Sequence, residues 1–202
     1  MSENNQKVDR RTLRSRRAMR EALLTLMANK PFQAISITDI VECAGYNRGT
    51  FYANYDSKEA LLDEITTELL DKLLQSFRAP YEHVEFFNVS ELPAHAVTIF
   101  NHIYEHSGVY TILMKNDVLP NMKEKMLHVL KEISMAELFD PTVDIDSELL
   151  ATYSMSSVLG LVWHWIETGF KHPPEYMQEQ LVKIINLNPI HANMARTGKQ
   201  PK

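Results

Sequence analysis

Between two helix-forming runs the chain places Ala44-Gly45-Tyr46-Asn47, and this brief interruption restricts the architecture more than any other stretch. Gly45 permits the positive φ of a tight turn and Asn47 can cap a new helix, but the run that follows, Arg48 to about Tyr55, is too short to nucleate alone. It must be held from both sides. In front lie Ile40, Val41 and Ala44; behind lie Phe51 and Leu61. The pattern is therefore a helix-turn-helix, in which the second helix enters a major groove and the first lies across the backbone.

Around this motif the apolar spacing is helical throughout. A first amphipathic helix is expected from about 10 to 29, with Leu13, Met19, Ala22, Leu23, Leu26 and Met27 inward and Arg10, Arg14 and Arg17 on its polar face. Ser36, with Asp39 three residues on, marks a capping box for the next helix. Asp56-Ser57 caps a fourth helix, whose stripe of Leu62, Ile65, Leu69, Leu73 and Phe77 runs until Pro80. Helices are then expected at about 91–105, 109–115, 121–138, 145–169 and 174–187. The VEFFNV run is taken as loop, and the tail HANMARTGKQPK, which has no apolar period, as disordered. The fold class is all-α: a three-helix helix-turn-helix domain over residues 1–56 and a larger helical domain over 57–202, with 191–202 as the tail.

Net charge is −5, yet through residue 60 ten Lys and Arg outnumber seven Asp and Glu. Seven of those ten, Lys7, Arg10, Arg11, Arg14, Arg16, Arg17 and Arg20, fall in the first twenty positions. Such asymmetry is the electrostatic footprint of a polyanion-binding end on an otherwise acidic chain. Cys43 is the single cysteine, so no internal disulfide can form; it reads as a small buried hydrophobe in a reducing, cytoplasmic setting. The polar N-terminus has no secretory h-region. Leu149 to Ile166 lacks Asp, Glu, Lys and Arg, but Thr152, Ser154, Ser156, Ser157 and His164 interrupt it, so it reads as a core helix packed on all sides, with no membrane partner.

The residues that point outward from the motif suit duplex DNA. Arg48 offers a guanidinium matched to a guanine edge, and Asn47, Thr50 and Asn54 can pair with bases or phosphates. Tyr52, Tyr55 and Lys58 are candidate phosphate contacts, Ser36 and Thr38 start a helix where phosphates of the other strand would lie, and Arg14, Tyr46 and Gly49 complete the DNA-binding set.

The stretch ISITDIVECAGYNRGTFYANYDSKEALLDEI resembles the DNA-binding domain of the TetR (tetracycline-repressor) family of bacterial regulators, whose pattern is a Thr/Ser-capped helix, Ala-Gly-x-Ser/Asn, Gly-Thr-Phe/Leu-Tyr, then Ser-Lys-Glu and a long helix. The likeness spans about residues 10–66. It implies that Asn47, Arg48, Thr50, Tyr52 and Lys58 face DNA, and that Tyr55, standing where the family usually has Phe, either packs or bonds a phosphate. It further implies a homodimer on a palindromic operator, and repression relieved by a small apolar or aromatic effector. The segments carrying Phe100, Tyr104, Tyr110, Met114, Met126, Tyr153 and Trp163 would surround the effector cavity. The alternative is a C-terminal domain that docks a partner protein. Dimerisation is expected through the last two helices, where Ser157, Gly160, Leu161, Trp165, Leu181, Ile184 and Ile185 combine small residues with apolar area.

Competing chemistries find less support. His102 and His106 stand four residues apart, a spacing that can hold zinc, but no Cys ligand or HExxH pattern joins them, so neither metal nor cofactor is expected. No Ser lies in a GxSxG setting, and no catalytic residue is assigned.

Overall fold

The computed structural model describes residues 2–82, 91–116, 119–138 and 144–187. The VEFFNV run and the tail from 191 lie outside them. Among the described residues the secondary structure is entirely helical, without a strand.

Helix α1 (Ser2–Met27) buries Met19, Ala22, Leu23 and Met27, whereas Leu13, expected on the same inward face, is 60% exposed because α1 has run past its packing partners by that point. A 3-10 turn at Phe32–Ala34 leads to α2 (Ile37–Ala44). The capping box forms as the sequence indicates: the Asp39 amide donates to Ser36 Oγ at 3.1 Å, and the Ser36 amide donates to Asp39 Oδ2 at 2.7 Å. At the other end Gly45 takes φ 71°, and the Tyr46 and Gly45 amides donate to the Val41 and Glu42 carbonyls, the paired bonds of a Schellman stop. Helix α3 (Arg48–Tyr52) has only five residues, and α4 (Lys58–Arg78) follows, capped by Ser57.

The C-terminal half contains α5 (Ile99–Glu105), α6 (Ser107–Lys115), α7 (Leu119–Glu137), α8 (Ser147–Glu167) and α9 (Pro174–Ile185). The helix expected from 91 begins only at Ile99, since Pro93 directs the preceding segment into a 3-10 turn at Ala94–Ala96. Helices α7 and α8 pack antiparallel, as the pairs Lys123–Glu167 at 3.6 Å and Lys131–Glu148 at 2.7 Å require. Gln178 of α9 is buried and donates to the Val97 carbonyl and to Asn101 Oδ1, fastening α9 to α5. One continuous core joins the halves, with Ile65, Leu69 and Leu73 of α4 between the helix-turn-helix and Phe100, Ile103, Leu113, Met126 and Trp165.

Two further expectations need correction. Cys43 is exposed, because it lies on the flank of α2 away from Val41, outside the inward arc of Ile37, Ile40, Val41 and Ala44. Helix α8, long and apolar enough to cross a membrane by length and composition, is packed on one face by Ala151, Met155, Leu159, Val162 and Ile166, not on all sides. Its other face presents Leu149 (69% exposed) and Tyr153 (74%), followed by Ser156, Ser157, Gly160 and His164.

Candidate nucleic-acid interface

A five-residue helix has too few internal hydrogen bonds to persist alone, and α3 is held by Phe51, which is completely buried beside Ile40, Val41 and Leu61. Inward packing at Phe51 turns Arg48 and Tyr52 outward. The Arg48 guanidinium carbon stands 6.0 Å from the Tyr52 ring centroid, and the two side chains also approach through Nη2 and the hydroxyl at 3.4 Å. Tyr52 packs its edge on Phe51 at 5.7 Å, so the outward pair rests on the buried ring.

Asn47 caps α3: its Oδ1 accepts from the Thr50 amide at 2.9 Å and from Thr50 Oγ1 at 3.1 Å. A Cβ at position 49 would come within 3.3 Å of that oxygen, so glycine there keeps the cap undisturbed. Ser36 is exposed, yet its hydroxyl both accepts from the Asp39 amide and donates to Asp39 Oδ2. Hydrogen bonds from Ser36 and the Lys30 ammonium 2.9 Å away hold the Asp39 carboxyl down at about 2. Thr38 is exposed and Tyr46 half-buried.

Three sequence-derived contacts are placed elsewhere. Tyr55 is 5% exposed, with its hydroxyl donating to Glu64 Oε1 at 2.9 Å and Arg16 lying over its ring; burial pushes its phenol upward, and it packs instead of reaching a phosphate. Asn54 turns back toward α1, donating to the Thr50 carbonyl at 2.7 Å and approaching Ser15 Oγ. The Lys58 ammonium donates to the carbonyls of Phe32, Gln33 and Ile35 at 2.7 to 3.2 Å, which binds the 31–35 turn to the start of α4.

Arg10, Arg11 and Arg14 are exposed and have no ion-pair partner among the described residues. Other arginines of α1 are engaged: Arg16 bonds Glu64, Arg20 bonds Glu68, and Arg17 pairs with Glu21 along the helix. Arg20 holds the Glu68 carboxyl below the usual range. These bridges line a crevice of about 670 Å³ between α1 and α4. Neither Glu64 nor Glu68 was singled out from the sequence, although their four-residue spacing repeats that of Arg16 and Arg20.

The expected effector set divides: Phe100, Tyr110, Met126 and Trp163 share one buried core with Met114 packed against it, whereas Tyr104 and Tyr153 are exposed. Phe100, Tyr110 and Met126 are fully buried, exposing no surface even to an internal space of water size, and Met114 is half-buried. Trp163 lies beneath Lys123, Tyr104 stacks outside on Trp165 with 47% of its surface free, and Tyr153 faces outward from α8. Buried His102 contacts the Tyr110 hydroxyl through Nε2 at 3.1 Å, and burial together with neighbouring His106 lowers its pKa to about 4. Of the expected dimer residues, Trp165 and Leu181 are buried within the chain itself, because they pack on Phe100 and in the shared core. Ser157, Gly160, Ile184 and Ile185 are exposed and Leu161 is half-buried.

Comparison with known proteins matches residues 20–65 to the model for bacterial regulatory proteins of the tetR family, and residues 90–187 to a transcriptional regulator C-terminal region of the TetR type. The chain is 25% identical over 190 residues to the uncharacterized HTH-type transcriptional regulator YxbF of Bacillus subtilis (strain 168), covering 92% of this chain and 48% of YxbF. It is 39% identical over 54 residues to the HTH-type transcriptional repressor KstR2 of Rhodococcus jostii (strain RHA1), covering 27% of this chain and 26% of KstR2. Thus it spans about half the length of the first relative and about a quarter of the second. A TetR transcriptional regulator from Streptococcus agalactiae superposes with a TM-score of 0.62 at 22% identity, over 90% of this chain and 98% of the other.

Proposed function

The chain belongs to the TetR family of bacterial regulatory proteins, a non-enzymatic family of DNA-binding transcriptional regulators, and from that premise we propose that it is a homodimeric repressor of a palindromic operator acting in the cytoplasm. The observation that carries this reading is the outward Arg48–Tyr52 pair on a short helix anchored by Phe51. Arg48 reads a base edge, while Asn47, Thr50, Tyr52 and Thr38 position the duplex. Residues 1–56 form the reading unit and 57–202 the unit that dimerises and responds. A duplex selected from a random pool should carry an inverted repeat. Arg48→Ala should then cost about 1–3 kcal/mol and relax preference at one base pair. A selection that returned no palindromic enrichment would remove this assignment.

Arg10, Arg11 and Arg14 extend the basic surface beyond the packed unit, on the helix whose Ser15 adjoins Asn54 at the end of α3. Their partner is the phosphate backbone flanking the repeat. Deleting residues 2–14 should weaken every duplex alike and flatten the salt dependence by about one to three counterions, without altering the selected sequence. Binding titrations between low and moderate salt measure that slope, and an unchanged slope would leave the arm without a DNA role.

The C-terminal half is the proposed receiver of a small apolar or aromatic effector, a reading supported by its polarizable core of Met and aromatic side chains. With Phe100, Tyr110 and Met126 packed solid, entry of such a molecule requires those helices to part. Control by a docked partner protein is the second reading; in its favour stand that solid packing and Tyr104, exposed on Trp165 beside Phe170.

A further inference from the structure

Helix α1 ends at Met27, and the residue that would normally donate to the Met27 carbonyl is Pro31, which has no amide hydrogen. That carbonyl is satisfied from another part of the chain: Asn116, at the C-terminus of α6, donates to it from Nδ2 at 3.1 Å. The same amide group donates to the Ile112 carbonyl at 2.8 Å, and Asn116 Oδ1 accepts from the Phe32 amide, also at 2.8 Å. Asn116 is 5% exposed. Withdrawing it would strand a buried carbonyl and a buried amide, each at a desolvation cost, so the end of α6 cannot shift while the 28–32 segment stays in place. From Phe32 the chain runs four residues to Ser36, the cap of α2, and over that interval Lys58 of α4 clasps three carbonyls.

We infer that Asn116 is a positioning residue that joins the C-terminal helices to the DNA-reading unit, so that displacement of the α6 end is passed through the 31–35 turn to the start of α2. The inference rests on the DNA-binding reading above. Coupling of this kind is reciprocal: a duplex on α3 must alter the state of α6 as much as α6 alters the affinity for the duplex.

Hydrogen exchange of the full chain, with and without a duplex carrying the selected repeat, tests it. In wild type, DNA should slow exchange in residues 47–53 and change exchange in residues 107–115 by about fivefold or more. In Asn116→Ala the protection at 47–53 should persist and the change at 107–115 should vanish. Asn116→Asp, which keeps the acceptor for Phe32 but opposes a carboxylate to the Met27 carbonyl, should behave likewise and serves if the alanine variant does not fold. Ile133→Ala, a core truncation far along α7, should leave the response at 107–115 intact, separating positioning from simple loss of stability. A response at 107–115 that survives in the Asn116 variants, or is absent from wild type, overturns the inference. Absence of protection at 47–53 in wild type would instead refute DNA binding through α3, and the inference with it.

Discussion

In the proposed homodimer, Gly160→Arg is expected to convert dimer to monomer in sedimentation and to lower operator affinity by about 100-fold or more, because one reading unit would then bind without the other. The substitution discriminates well. A Cβ at position 160 meets nothing within 4 Å, and the site is exposed in the middle of α8, so within the chain the branch point of a larger side chain is accommodated, and arginine is a better helix former than glycine by about 1 kcal/mol. A loss of dimer would therefore point to the face of α8 bearing Leu149, Tyr153, Ser156, Ser157 and Gly160 as the interface. That stripe, with Ile184 and Ile185 of α9, is apolar area that a stable interface would cover. A variant that stays dimeric moves the interface to another surface.

Phe51→Ala should cost about 3–5 kcal/mol, a large fraction of the stability of a small unit. The loss falls where it matters most, since α3 has no other fully buried side chain and Phe51 also supports Tyr52 and Tyr55 at 5.7 and 5.8 Å. Circular dichroism should show a lowered melting transition with most helix retained below it, and DNA binding should be lost at temperatures where Arg48→Ala still binds. Wild-type affinity in this variant would mean that α3 is held by something other than its phenylalanine.

The helices were legible because their signals are local. Ser36 with Asp39, Gly45, Asn47 and Ser57 each act within four residues, and each lies at the helix end that it marks. Side-chain destinations were less legible where a residue had two chemically adequate partners. Lys58 suits a phosphate or three carbonyls, and only the fold brings the 31–35 turn within its reach. Tyr55 and Asn54 likewise carry groups fit for DNA, yet the return of the chain toward α1 and α4 gives both to protein. Tyr153 was placed toward a cavity through the resemblance alone; the exposed side of α8 becomes evident only when its neighbours are present. Asn116 gave no local signal, since its partners lie 84 and 89 positions earlier.

The cap at Asn47 also limits what the reading surface can recognise. Two donors from Thr50 converge on Asn47 Oδ1, occupying both of its lone pairs and leaving the NH2 group as the part of the amide with unused hydrogen-bonding capacity. An asparagine that pairs with adenine needs its oxygen for the adenine amino group and its nitrogen for N7. Asn47 has lost the first half of that pair to its own helix. In the proposed complex it would meet DNA as a donor alone, suited to phosphate oxygens or purine N7 and indifferent to the amino group that separates adenine from guanine, so that the burden of telling those bases apart would pass to Arg48.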